Sequence, residues 1–136
     1  MTIKTVTHLN FRGDARGALE FYQSVFGGEL TVVTHAQSYG TTDPKEADLV
    51  GYGSVFSEDG FAIMAFDVPA ARPYNPGESA LFVSVRGPKS EEITAYWDRL
   101  KVGGEVIVDL APAGWVALYG MLKDKFGITW VLDVLA

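Results

Sequence analysis

Gly27-Gly28-Glu29-Leu30 returns 76 residues later as Gly103-Gly104-Glu105-Val106, and this pair decides how the rest of the chain is read. Working outward, Phe21-Tyr22 recurs as Tyr96-Trp97 at an offset of 75, and Phe11-Arg12-Gly13 as Val85-Arg86-Gly87 at 74. Downstream, Gly60-Phe61-Ala62-Ile63 has a counterpart in Gly127-Ile128-Thr129-Trp130, and Asp67-Val68 has one in Asp133-Val134. Each match is short. Their shared order, with offsets that creep as single loop insertions would make them, argues for an internal repeat.

The two halves carry the same pattern. Residues 6–11 alternate and read as a strand. Asp14 can cap a helix whose apolar positions Ala18, Leu19, Tyr22, Val25 and Phe26 share one face, and Gly27-Gly28 stops it. Residues 30–34 are rich in β-branched side chains and predict a strand, 36–48 a polar loop, and 49–56 with 61–66 a hairpin turning at 57–60. In the second half, residues 81–85 predict a strand. Ser90 can cap a helix carrying Ile93, Tyr96, Trp97 and Leu100, and residues 106–110, 115–122 and 128–134 supply three more strands. Each half is therefore strand, helix, then three strands, an α+β order and not that of a doubly wound sheet. One domain over residues 1–136 is expected, with module one at about 1–68, a linker at 69–77 marked by Pro69, Pro73 and Pro76, and module two at about 78–136. Parity puts Leu9 and Phe11 toward the helix and Val6, His8 and Asn10 on the opposite face. A histidine and an amide there either line a cavity, if the sheet curls, or lie on an ordinary surface.

Composition bounds the function. At 136 residues, 48% hydrophobic and 21% charged, the chain can bury its own core. With no cysteine, disulfides, thiolate zinc sites and cysteine nucleophiles are excluded, which suits a reducing compartment. The net charge of −6 and the lack of any Lys/Arg cluster argue against nucleic acid as a partner. No apolar run approaches the roughly 20 residues that span a bilayer, and the N-terminus lacks the apolar stretch of a signal peptide, so a cytoplasmic protein is expected.

The run His8-Leu9-Asn10-Phe11-Arg12-Gly13-Asp14, with Ala18-Leu19-Glu20-Phe21-Tyr22 and Phe26-Gly27-Gly28, resembles the opening of the vicinal oxygen chelate superfamily. That superfamily holds glyoxalase I, the bleomycin- and fosfomycin-resistance proteins and the extradiol dioxygenases. Gly120-Met121-Leu122, Asp124-Lys125-Phe126-Gly127 and Thr129-Trp130 resemble the closing motif of its PhnB-like subgroup. The resemblance covers nearly the whole chain and implies two βαβββ modules forming a cupped eight-stranded mixed sheet with one main helix per module. It also implies a homodimer. In metal-dependent members the first and last strands of each module supply His and Glu ligands to one divalent ion in the cup. His8 falls at the first ligand position and Asn10 at a substrate-contacting one. The remaining positions carry Met64, Ala80 and Val131, which cannot serve, and only a register shift of two would bring in Glu78 or Asp133. The resemblance thus implies a degraded metal site and no cofactor, with a divalent metal held by His8 as the alternative.

By parity and motif the side chains lining such a cup are His8, Asn10, Phe56, Met64, Phe66, Phe82, Trp115, Tyr119 and Met121, a mixture suited to an unknown small molecule. Trp97 and Trp130 fall on core faces, and His35, before a polar loop, is expected at the surface. Gly51-Tyr52-Gly53-Ser54 begins like a dinucleotide fingerprint but lacks the third glycine and the helix, and no nucleophile elbow occurs. Two functions follow: a metal-free small-molecule-binding protein, sequestering or sensing, or an enzyme of the same superfamily (lyase, dioxygenase or resistance-type transferase) with His8 as its catalytic base. A third possibility is a purely structural or partner-binding dimer.

Overall fold

The computed structural model describes residues 3–135. The chain divides into two compact units, residues 1–76 and 77–136. The first runs β1 (Thr7–Phe11), α1 (Ala15–Phe26), β2 (Glu29–Thr34), α2 (His35–Tyr39), β3 (Val50–Phe56) and β4 (Ala62–Asp67). The second runs β5 (Val83–Gly87), α3 (Ser90–Leu100), β6 (Glu105–Ala111), β7 (Leu118–Lys123) and β8 (Thr129–Val134). Each unit builds one four-stranded mixed sheet, ordered β1-β4-β3-β2 and β5-β8-β7-β6. In both, the outer strand joined through the helix pairs parallel to the last strand, and the other three form an antiparallel meander. This is the α+β arrangement the repeat implies. No helix among the described residues is long and apolar enough to cross a membrane.

Helix α1 buries Ala18, Leu19, Tyr22, Val25 and Phe26, the stripe read from spacing, and Ala15 in addition, against Leu9, Phe11, Val55, Ile63 and Ala65 of its sheet. Each large member contributes about 1.5–3 kcal/mol of burial. Gly53 sits under Leu19, whose side chain occupies the space a Cβ would need. This is why a glycine recurs in a strand that superficially begins like a nucleotide loop. Helix α3 buries Ile93, Trp97 and Leu100, and the Trp97 ring lies 2.8 Å from where a Cβ on Gly120 would stand. The repeated Gly-Gly pairs now have a physical reason. The first glycine of each, Gly27 at φ 76° and Gly103 at φ 74°, turns the chain out of its helix in the left-handed region. The second, Gly28 or Gly104, runs against the main chain at the end of β3 or β7, at Phe56 or Lys123 respectively, leaving no room for a side chain.

The helix caps differ from expectation. Asp14 occupies the N-cap of α1 without a side-chain cap bond, and Lys89, not Ser90, precedes the first residue of α3. The capping role at α1 falls to a carboxylate distant in sequence. Asp67, buried at the end of β4, accepts from the Gly13 and Ala15 amides through Oδ1 at 2.7 and 3.1 Å, and from the Val50 amide through Oδ2 at 3.0 Å. Glu91 and Glu92 lie in the first turn of α3, where acids suit the dipole.

The match of Asp67 with Asp133 is out of register by one. The hairpin positions Phe56↔Ala62 and Lys123↔Thr129 align the two units at an offset of 67, which sets Asp67 against Val134. Asp67 shares the helix-facing parity of Ile63 and Ala65, whereas Asp133 has the opposite parity to Trp130, Leu132 and Val134. A one-residue slip exchanges faces. Asp133 instead holds Arg86, whose Nε lies 3.0 and 3.1 Å from its two oxygens. Residues 36–39 of the segment 36–48, read as loop, belong to α2.

Removing the Asp67 carboxylate takes the acceptor from the buried amides of Ala15 and Val50 and from the Gly13 amide at the edge of the corner. Asp67→Ala is expected to cost about 3 kcal/mol or more in a urea denaturation series. A loss below about 1 kcal/mol would show that the carboxylate does not hold this corner.

Candidate functional site

The face of the first sheet opposite α1 carries the first cluster. Ladder registers place His8 beside Met64, Met64 beside Ser54 and Ser54 beside Thr31, forming one cross-strand row. Asn10 pairs with Phe66 on one side of that row, and Phe56 with Ala62 and Glu29 on the other. The His8 and Phe66 rings meet edge to face at 4.9 Å. His8 and Asn10 are exposed, Met64 and Phe66 half-buried, and Phe56 is 42% exposed. Desolvation by its neighbours pushes the His8 pKa below its usual 6.5, so the ring is neutral at pH 7 and offers one donor and one acceptor.

The segment after β4 is fastened along the end of β1. The Val68 amide donates to the Phe11 carbonyl at 2.7 Å, and the Arg12 guanidinium donates to the carbonyls of Pro69 and Arg72. Tyr74 lies under that guanidinium, 5.3 Å from its ring centroid, and donates its hydroxyl to the Asn10 carbonyl at 3.4 Å. The position of Asn10 is therefore held from its backbone side.

The remaining candidates belong to the second unit. Tyr119 and Met121 share the face of their sheet opposite α3, beside Asp133 and Val131 in register. Trp115 is not in a strand: β7 begins at Leu118, and Trp115 is 67% exposed, edge-on to Tyr119 at 5.4 Å. Phe82 lies just before β5 and is exposed. Sequence reasoning missed Ser54 and Thr31, although alternation from Phe56 back through 54 and 52 marks that face.

The residues present do not fit a divalent metal. His8 faces a thioether at Met64, and Val131 stands at its strand position. Asp133, the one carboxylate a register shift could recruit from β8, has both oxygens engaged by Arg86. Among the described residues no three His, Cys, Asp or Glu side chains gather where an ion could be held.

His35 corrects the sequence reading outright. It is 1% exposed, and its Nε2 lies 2.8 Å from the Asp67 carbonyl, an oxygen that can only accept, so Nε2 carries the proton. The overlooked signal is a capping box. The Gln37 amide donates to Thr34 Oγ1, and the Thr34 amide donates to Gln37 Oε1, which starts α2 and turns His35 inward. Trp130 and Trp97 are buried as expected, with Trp130 Nε1 donating to Asp124 at 2.8 Å.

The Glyoxalase/Bleomycin resistance protein/Dioxygenase superfamily model matches residues 5–132. Protein YjdN of Escherichia coli (strain K12) is 22% identical over 135 residues, covering 93% of this chain and 92% of that protein. The crystal structure of protein PA1353 from Pseudomonas aeruginosa superposes with a TM-score of 0.87 at 28% identity, over 98% of both chains. A Bacillus cereus PhnB protein, named as a candidate 3-demethylubiquinone-9 3-methyltransferase, gives 0.70 at 25% identity, over 97% of this chain and 99% of that one.

The His8 environment makes a pH prediction. Unfolding returns the ring to a pKa near 6.5. Between that value and the lower folded one, the unfolded chain binds more protons. Stability is therefore full above about pH 6.5 and falls as pH drops through the folded value. A proton NMR titration of the His8 ring is expected to give a midpoint below 6.5; a midpoint at or above it contradicts the packing described.

Proposed function

The chain belongs to the Glyoxalase/Bleomycin resistance protein/Dioxygenase superfamily, and on that premise we propose that it binds a small organic molecule against the far face of its first sheet without using a metal. The observation that carries this reading is the setting of His8: a neutral imidazole, edge-on to Phe66, beside Met64 and two residues from Asn10. Apolar and aromatic surface with a few directed polar groups is what small-ligand sites use. Phe56, Met64 and Phe66 supply the apolar contact, and His8 and the Asn10 amide supply the hydrogen bonds. A sequestering or sensing role in a cytoplasmic homodimer goes with this reading.

A second reading has its own support. A histidine whose pKa is lowered keeps its lone pair available at neutral pH, as a general base must. His8 would then take a proton from an acidic carbon or hydroxyl of the bound molecule. The methyltransferase wording attached to the Bacillus cereus relative finds no counterpart in this chain's motifs.

Two measurements test the proposal. Elemental analysis followed by titration with Mn, Fe, Ni and Zn is expected to find no stoichiometric metal in wild type or in His8→Ala. Stoichiometric metal in wild type that disappears in the variant would replace the reading with a metal-dependent enzyme. A thermal-shift screen of small molecules is expected to yield compounds that stabilise wild type, by about 2.7 kcal/mol at a hundredfold excess over Kd, and that lose most of this in His8→Ala.

A further inference from the structure

We propose that the second sheet carries a binding site of its own for a planar aromatic carboxylate, anchored by Arg86 and stacked on Trp115 and Tyr119. It rests on the second unit alone and makes no use of His8. Registers place Arg86, Asp133 and Tyr119 in one row, because Asp133 pairs with Arg86 on β5 and with Tyr119 on β7. Residues opposite one another in a ladder project to the same side, so the guanidinium, the carboxylate and the phenol share the face away from α3.

The state of Arg86 is what points to an anion. Its Nε alone engages Asp133, at 3.0 and 3.1 Å from the two oxygens. Among the described residues nothing accepts from either Nη. The Arg86 side chain is 55% exposed, while that of Asp133 is only 8% exposed. Asp133 thus fixes the plane of the guanidinium from below and leaves its outer edge facing out. That edge is a fork of N–H donors matched to the two oxygens of a carboxylate. A lysine would offer a point charge with no such plane.

The aromatic half of the site is equally specific. Trp115 is 67% exposed, an uncommon position for the largest apolar side chain, and it is oriented by edge-on contact with Tyr119 at 5.4 Å. Neither ring is needed for the core of this unit, where Trp97 and Trp130 serve. The exposed indole is held against Tyr119, and Tyr119 shares a cross-strand row with Arg86 across β8, so one face offers both a stacking surface and a charge clamp. The matching ligand is a flat ring bearing a carboxylate.

The test uses benzoate as probe, followed through the backbone amide resonances of Tyr119 and Arg86 in nitrogen–proton spectra of the full chain, and in wild type through the Trp115 indole as well. Benzyl alcohol (ring without charge) and acetate (charge without ring) are the comparison compounds. Benzoate is expected to bind at least tenfold more tightly than either. Arg86→Lys, which keeps the ion pair with Asp133 but loses the planar fork, and Trp115→Ala, at an exposed position, are each expected to weaken it about tenfold while leaving the thermal midpoint in place. Affinity for benzoate no better than for the comparison compounds, or unchanged in both variants, overturns the proposal. So does a Trp115 resonance that moves with protein concentration and not with benzoate, which would assign this face to a second copy of the chain.

Discussion

Three stretches of the chain meet on Asp67, two through main-chain amides and one through the His35 ring, and the geometry of the first unit depends on how that carboxylate is satisfied. Its two oxygens accept from Gly13, Ala15 and Val50, and its own carbonyl accepts from the buried ring of His35. A carboxylate at 1% exposure would be costly without partners, and here the partners are amides at the entry to α1 and at the first residue of β3. The negative charge also faces the positive end of the α1 dipole. One residue thereby fixes the β1–α1 turn, the entry to β3 and the seat of α2. The row containing His8 and Met64 lies three residues back along the same pair of strands, so its register is inherited from this corner.

The second unit solves the same problem differently. Its repeat-equivalent residue is the apolar Val134, and the acid has moved one position, to Asp133, where it faces the other side and meets Arg86. The first unit's arginine, Arg12, points elsewhere and fastens the segment after β4 through the carbonyls of Pro69 and Arg72. Two halves with one topology have thus placed their acid and their arginine to opposite ends: a sealed interior corner in one, and an outward-facing pair in the other.

Much of this was legible before any coordinates. The order of Gly-Gly, aromatic pair and Arg-Gly pieces specifies the doubled strand–helix–three-strand plan, because those residues serve close approaches and helix faces that do not depend on long-range detail. Parity places His8, Asn10, Met64 and Phe66 on one face for the same reason. The errors came where a local pattern is blind to a distant partner. Asp14 has the right chemistry for a cap, yet Asp67 does that work from another strand. His35 precedes polar residues, yet its hydrogen-bond partner lies 32 positions away. Trp115 looks like the start of a strand and stands in the loop before one. The pairing of Asp67 with Asp133 failed by one residue, the smallest slip possible and the one that matters most in a strand.

Alternation along β1, β3 and β4 has a consequence for how such a protein can change over time. Side chains toward α1 are almost all buried, while those on the far face at 8, 10, 56, 64 and 66 are exposed or half-buried. Substitutions at the second set alter the chemistry offered to a ligand while touching few of the contacts that keep the sheet folded. A lineage built on this scaffold can therefore drift from one small molecule to another by steps that selection for folding scarcely sees. The same freedom lets a coordinating residue be lost without loss of the fold, and leaves new specificities within a few codons of the old.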